Sequence, residues 1–394
     1  MQIGPVVSLS MTRIGIVGTF DVMNFGDLLF PLLAGHELRE RLGDATVTAY
    51  SHRELAPPAW PYPVRPLERL PHDLGTLDLL LVGGGHIVRF DKDVAPGYGS
   101  TSPDVHHPTG YWLTPTLVAG AAGVPVAWNA VCASPGTPRW ARPLLAAALD
   151  LASYVSVRDE PSARELRSVS SSAKVELVPD TAFGVTRLLT PEPTESLRRL
   201  IATAGIARRY VVVQASPYLR VHAERIAAAV APLKEAGITV LELPISPALG
   251  DEEGALGVGQ PVTLASWPAP LLLAELIGRA EAVVAHSLHL SIVALAHGVP
   301  VYRPPSPPNA KWGLLAQFQG VHTWNGSGLG LALEDLGRRE PGSEAANQSV
   351  RLAEHWDTVA SLVGGTRRPQ PVRLAALLAE LTSALEDGAD AVNP

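Results

Sequence analysis

Short, unbroken apolar runs alternate with longer stretches of helical spacing along most of the chain. Residues 13–18, 46–50, 77–82, 124–129, 154–159 and 175–180 are the first set of apolar runs, most of them ending at Gly, Asn or Asp. Runs of this length without polar alternation predict strands buried on both faces. Residues 28–41, 117–123, 140–153 and 161–169 read as the helices between them, the first with Asp27 as its N-cap. Strands alternating with helices predict a parallel sheet covered on both sides. After a linking stretch with a helix at 191–206, the pattern restarts. Strands are expected at 210–215, 239–243, 262–264, 281–285 and 299–302, and helices at 223–236, 268–278 and 290–297. The expected organisation is therefore α/β in two halves, 11–195 and 205–330. A polar irregular segment at 331–370 follows, and a C-terminal helix at 371–388 is expected to pack back on the first half.

Composition supports two ordinary globular domains and excludes several partners. A chain of 394 residues exceeds one typical domain, and 46% hydrophobic content with 18% charge suits a large buried core. A net charge of -7 gives no general affinity for nucleic acid. No apolar run approaches the roughly 20 residues of a transmembrane span. Residues 1–10 lack the basic start and apolar segment of a signal peptide, and Met11 is a candidate start, so a cytoplasmic location is expected. The single cysteine, Cys132, can make neither an internal disulfide nor a thiolate metal site and is expected to be small and buried. His106 and His107 have no suitably spaced partner, so no metal site is expected. The oligomeric state is left open.

Candidate chemistry gathers where strands end. Residues 281–285 run into Ser287, Leu288 and His289, and a helix follows until Gly298 and Pro300 stop it. Open α/β sheets bind ligands at the carboxyl ends of their strands, and a helix amino end favours an anion. The loop from Gly18 to Asp27 offers Asn24 and Asp27 to a sugar hydroxyl or to a helix cap. Its spacing is not G-x-G-x-x-G, so a nicotinamide cofactor is not supported. Gly83, Gly84 and Gly85 end an apolar strand where a ligand could approach the main chain, with His86 beside them. Ser156 to Asp159 reads as a local ion pair and helix cap, and Asp180 either faces the cleft or starts the next helix. Arg220 and Lys311 follow strands of the second half and are the candidate cations for a carboxylate or phosphate. Tyr98, Tyr111 and Trp112 lie in a long polar loop, residues 91–115, and offer faces on which sugars stack.

In this order, these pieces resemble the polysaccharide pyruvyl transferase family. The resemblance rests on Gly18 through Asn24-Phe25-Gly26-Asp27, Gly83-Gly84-Gly85, Ser156-Val157-Arg158-Asp159-Glu160-Pro161-Ser162, Pro179-Asp180-Thr181-Ala182-Phe183, and Ser287-Leu288-His289 through Gly298-Val299-Pro300. It implies two Rossmann-like domains facing a cleft, similar to B-type glycosyltransferases. It also implies transfer of pyruvate from phosphoenolpyruvate to the hydroxyls of a sugar or saccharide, as a ketal, with phosphoenolpyruvate as co-substrate and no cofactor. By position, His289 would be catalytic. Arg220, Ser287, Leu288 and Lys311 would bind the donor, and Asn24, Asp27, Gly84, Gly85 and His86 the acceptor. Many members carry arginine where Ser287 stands, which shifts the expected donor contacts onto Arg220 and Lys311. Two other readings are a nucleotide-sugar glycosyltransferase of the same fold, holding a ribose through Glu334 or Asp335, and a non-catalytic saccharide-binding relative.

Overall fold

Apolar strands with no polar face need cover on both sides, and two parallel sheets flanked by helices provide it. The computed structural model describes residues 11–95, 97–98, 107–251, 254–264, 267–305, 312–324, 328–337 and 343–365. The first sheet is built from β1 (Thr12–Val17), β2 (Ala45–Ser51), β3 (Val64–Pro66), β4 (Leu79–Val82), β5 (Gly85–Val88), β6 (Val126–Ala133), β7 (Tyr154–Val157) and β8 (Val175–Leu177). Its order is β3-β2-β1-β4-β6-β7-β8, with β5 pairing the far half of β6. The second sheet holds β9 (Tyr210–Gln214), β10 (Thr239–Leu243), β11 (Gln260–Pro261), β12 (Val283–Val284), β13 (Val301–Arg303) and β14 (Val321–Thr323), in the order β11-β10-β9-β12-β13-β14.

Both sheets reverse their strand order once. β1 sits between β2 and β4, and β9 sits between β10 and β12. The loops that leave β1, β4, β9 and β12 therefore diverge at the two switch points, which is where such sheets open a crevice. The two halves meet there. Phe25 N–H donates to the carbonyl of Ile245 at 2.9 Å, and the Ser246 hydroxyl donates to Asn24 Oδ1 at 3.0 Å. Phe183 of the first half and Phe318 of the second also meet, as tilted rings with centroids 5.1 Å apart.

Three expectations change. The helix after β1 starts at Phe25, with Asn24 at its cap position, so Asp27 lies in its first turn rather than at the cap. There its charge still faces the positive end of the helix. The strand expected at 262–264 is reduced to Gln260–Pro261 at the edge of the second sheet, and Val262 and Leu264 are buried without joining it. The segment expected to be irregular contains a 19-residue helix, Ser343–Ser361. Its buried residues Leu352, Trp356, Val359 and Ala360 recur at helical intervals and supply the apolar face. This helix packs back on the first half: His355 Nε2 meets Asn129 Oδ1 at 2.8 Å, and Arg41 reaches both the Ala353 carbonyl and Asp357. Burial, with a contribution from Arg41, pushes the His355 imidazole down to about 3, so it anchors the helix as a neutral hydrogen-bonding group. The helix expected at 371–388, like Lys311 and His106, lies outside the described residues. Among the described residues no helix is long and apolar enough to cross a membrane.

Candidate functional site

The crevice contains a cavity of about 210 Å³ lined from both sheets. The first half contributes Thr19, Asn24 and Asp27 after β1, His86 and Ile87 near β5, and Arg158 after β7. The second half contributes Gln214, Ser216 and Tyr218 after β9, Ser246 and Asp251 after β10, His286 to His289 after β12, and Trp312. A second cavity of about 370 Å³ shares His86 and Arg158 with the first and extends past Cys132, Asp159, Asp180 and Arg351.

At the junction of the two cavities, three side chains from three segments converge. Arg158 Nη1 donates to Asp180 Oδ2 at 2.6 Å and lies 3.2 Å from His289 Nε2. His289 Nε2 is 3.5 Å from the same Asp180 oxygen. Both members of the ion pair are almost wholly buried, while the His289 side chain retains 12% exposure. Burial alone raises a carboxyl, but Arg158, His289 and the Ala182 N–H outweigh it and hold Asp180 well below the usual carboxylate range. Burial likewise disfavours the Arg158 charge, and Asp180 more than restores it. His289 Nε2 thus has one donor and one acceptor within reach. Unprotonated, it accepts from Arg158; protonated, it turns its N–H toward Asp180.

The position of His289 explains Gly26. A Cβ on Gly26 would lie 1.8 Å from His289 Nδ1 and 2.2 Å from its Cγ. The imidazole of one half is thus seated directly on the backbone of the other, with its ring edge-on to Phe30 at 5.4 Å. We expect Gly26→Ala to push His289 off Arg158 and Asp180. A crystal structure of the variant with His289 still 3.2 Å from Arg158 would refute this.

A polar chain ties the helix at His289 to the opposite wall. Ser287 is the N-cap of Leu288–Ala296, accepting from the Leu290 N–H at 3.4 Å. The His286 and Ser287 N–H groups both donate to Gln214 Oε1, at 3.0 and 2.8 Å. Gln214 Nε2 donates to Asp251 Oδ2, which also accepts the Ile245 and Ser246 N–H groups at 3.1 Å each. The Ser246 hydroxyl continues to Asn24, and the Asn24 amide and the Thr19 hydroxyl both donate to Asp27 Oδ2, at 2.9 and 2.8 Å.

Burial pushes the Asp251 carboxyl up to about 6, against the opposing pull of its hydrogen bonds to Ile245, Gln214 and Ser246. An acid raised in the folded state contributes stability below its unfolded value near 4 and loses it as pH rises through the folded value. Asp251→Asn keeps the accepting oxygen without the charge. It should therefore gain on the wild type by about 1 kcal/mol between pH 5 and pH 7.5 in urea unfolding. Parallel curves for the two proteins would show that Asp251 does not titrate in this range.

Several expected residues are placed differently. Arg220 is exposed on the short 3-10 segment Pro217–His222 and does not line the cavity. The turn after β9 carries it outward, and among the described residues the cation that lines the cavity is Arg158. Gly83 and Gly84 answer to packing rather than to a ligand. A Cβ on Gly83 would stand 2.6 Å from the Phe20 ring, and one on Gly84 2.7 Å from the Phe30 ring. Gly85 is required by its φ of 97°, and neither Gly84 nor Gly85 lines the cavity. His86 does line it and bonds Ser134 at 2.9 Å. Tyr111 and Trp112 are core residues, 2% and 0% exposed, and present no face to a sugar. Asp159 is the helix cap expected, accepting from the Ser162 N–H at 2.8 Å. Cys132 is buried, and burial raises its thiol to about 11.

The polysaccharide pyruvyl transferase family model matches residues 24–303, well over half of the chain and nearly every residue of the cavity. The chain belongs to this family. No curated protein matches the chain. Solved structures similar to this pyruvyl transferase family member include UDP-GlcNAc 2-epimerase from Methanocaldococcus jannaschii. It has a TM-score of 0.52 and 13% identity, aligning 95% of this chain with 100% of that one. UDP-GlcNAc 2-epimerase from Neisseria meningitidis follows with a TM-score of 0.49, 11% identity and coverage of 94% and 99%. E. coli ADP-heptose lps heptosyltransferase II has a TM-score of 0.42, 14% identity and coverage of 89% and 99%. At such identities the likeness to the first is one of fold: two Rossmann-like domains arranged as in B-type glycosyltransferases. Within the family's motif segments, Arg158 read from the sequence as part of a local ion pair, and Asp180 as either facing the cleft or starting the next helix; the structure brings the two together.

Proposed function

We propose that the cavity transfers pyruvate from phosphoenolpyruvate to two hydroxyls of a saccharide acceptor, leaving a ketal and inorganic phosphate. The observation that carries this reading is the convergence of Arg158, Asp180 and His289 beside the amino end of Leu288–Ala296, within the segments the family model spans. Phosphoenolpyruvate brings a phosphate and a carboxylate, so it needs cationic and N–H partners. Arg158 is largely neutralised by Asp180. A protonated His289 and the helix end therefore contribute the remaining positive potential.

The chemistry then follows from His289. Its Nε2–H is delivered to the methylene carbon of the donor, and the adjacent carbon becomes an oxocarbenium. An acceptor hydroxyl adds to that carbon and passes its proton to Asp27, which lines the same cavity. The carbon–oxygen bond to phosphate then breaks, the phosphate departs with the electron pair and takes up the proton from Asp27, and a second hydroxyl adds to the oxocarbenium so formed and returns its proton to His289. Histidine suits the first step because it exchanges a proton near neutral pH. Asp180 Oδ2, 3.5 Å from Nε2, holds the imidazole in place.

The nucleotide-sugar reading loses its supporting residues, since neither Glu334 nor Asp335 lines the cavity. The test is phosphate release from phosphoenolpyruvate in the presence of a glycoside panel. Mass spectrometry of the acceptor should show the gain of one pyruvate less one water. Saccharide binding without phosphate release from any acceptor would instead support a non-catalytic relative.

A further inference from the structure

We infer that Tyr218, His286 and Trp312 form an aromatic wall that seats one pyranose ring of the acceptor. This rests on the transfer reading above and names where its acceptor binds. The three residues follow β9, β12 and β13, which are neighbours in the second sheet, and all three line the 210 Å³ cavity. Tyr218 and His286 are stacked nearly parallel, with centroids 4.7 Å apart and planes at 14°. His286 and Trp312 lie 4.6 Å apart at 57°. His286 is fixed in turn by its backbone bond to Gln214.

Tyr218 is 65% exposed, and one of its faces is covered by His286. Its uncovered face is a flat, oriented apolar surface at the mouth of a polar cavity. A pyranose matches that pairing: a face of C–H groups stacks on the ring, and a rim of hydroxyls reaches Asn24, Asp27, Ser246 and His86 in the same cavity. Of the aromatics expected from the 91–115 loop, Tyr111 and Trp112 are buried and Tyr98 stacks on Tyr111 and donates to Asp21, whereas this wall belongs to the opposite half.

The test reads binding and turnover separately. Saturation-transfer NMR would follow methyl β-D-glucopyranoside, galactopyranoside and mannopyranoside with the wild type, Tyr218→Ala and Tyr218→Phe. At least one glycoside should receive transfer on its ring C–H protons from the wild type. Tyr218→Ala should weaken that binding by roughly tenfold, the worth of one stacked aromatic contact, and Tyr218→Phe should restore it. In phosphate-release assays, Tyr218→Ala should raise the acceptor KM by a similar factor and leave the phosphoenolpyruvate KM within about twofold. Tyr218-dependent glycoside binding with no phosphate release would retain the wall and overturn the transfer reading. Normal turnover with an unchanged acceptor KM in Tyr218→Ala would overturn the wall alone. So would Tyr218-dependent binding of UMP or AMP with no binding of any glycoside.

Discussion

Replacing Arg158 by methionine is expected to destabilise the fold by about 3–5 kcal/mol and to abolish turnover. Asp180 is 1% exposed at its side chain, and Arg158 supplies its closest compensation at 2.6 Å. Without the guanidinium, the carboxylate must stay charged in an apolar setting or take up a proton. Its depressed titration sets the sign. A carboxyl lowered by folding contributes stability above its unfolded value near 4 and loses it as pH falls through the folded value. The wild type should hold this contribution throughout neutral pH and lose it only in acid, whereas Arg158→Met should be weakened already at pH 7. The double variant Arg158→Met, Asp180→Asn should recover most of the stability, because no unpaired charge is left behind. It should not recover phosphate release. Urea unfolding of the single and double variants separates the two roles. Equal destabilisation in both would mean that the pair acts through packing rather than charge.

The second large effect is on His289. His289→Ala is expected to lower kcat by roughly 10²–10⁴, the usual loss when a general acid is removed, with a smaller change in the phosphoenolpyruvate KM. Its fold should persist, because the imidazole is not fully buried and its partners Arg158 and Asp180 still satisfy one another. Thermal unfolding within a few degrees of the wild type would establish that. Full turnover in a folded His289→Ala variant would remove His289 from the mechanism and move proton delivery to another group in the cavity.

Much of this site was legible as position and little of it as contact. Ser287, Leu288 and His289 were marked by the strand that precedes them and the helix that follows, which are local patterns. Arg158 was marked by the same logic, at the end of β7, but read as part of a local pair with its neighbours. Its actual partners are 22 and 131 residues away. Gly26 has no side chain because an imidazole from the other half occupies the space, which no local pattern shows. Tyr111 and Trp112 read as exposed loop aromatics, and packing buries them: Trp112 lies edge-on to Trp128 at 5.5 Å and to Phe90 at 5.5 Å. Asp251 carried no signal beyond being an acid in a glycine-rich loop, and only burial distinguishes it.

The sequence by itself determined most of the element types before residue 304, the parallel sheets and the strand ends on which chemistry could sit. Periodicity, glycine and proline act within a few residues of themselves, and the carboxyl end of a buried strand is a local property. The tertiary structure decided which of those strand-end side chains meet. Two sheets joined along their switch points bring His289 within 3.2 Å of Arg158, bury Arg158 against Asp180, and leave Arg220 facing solvent. These are contacts between distant segments, set by how the two halves close, and no local pattern specifies that closure.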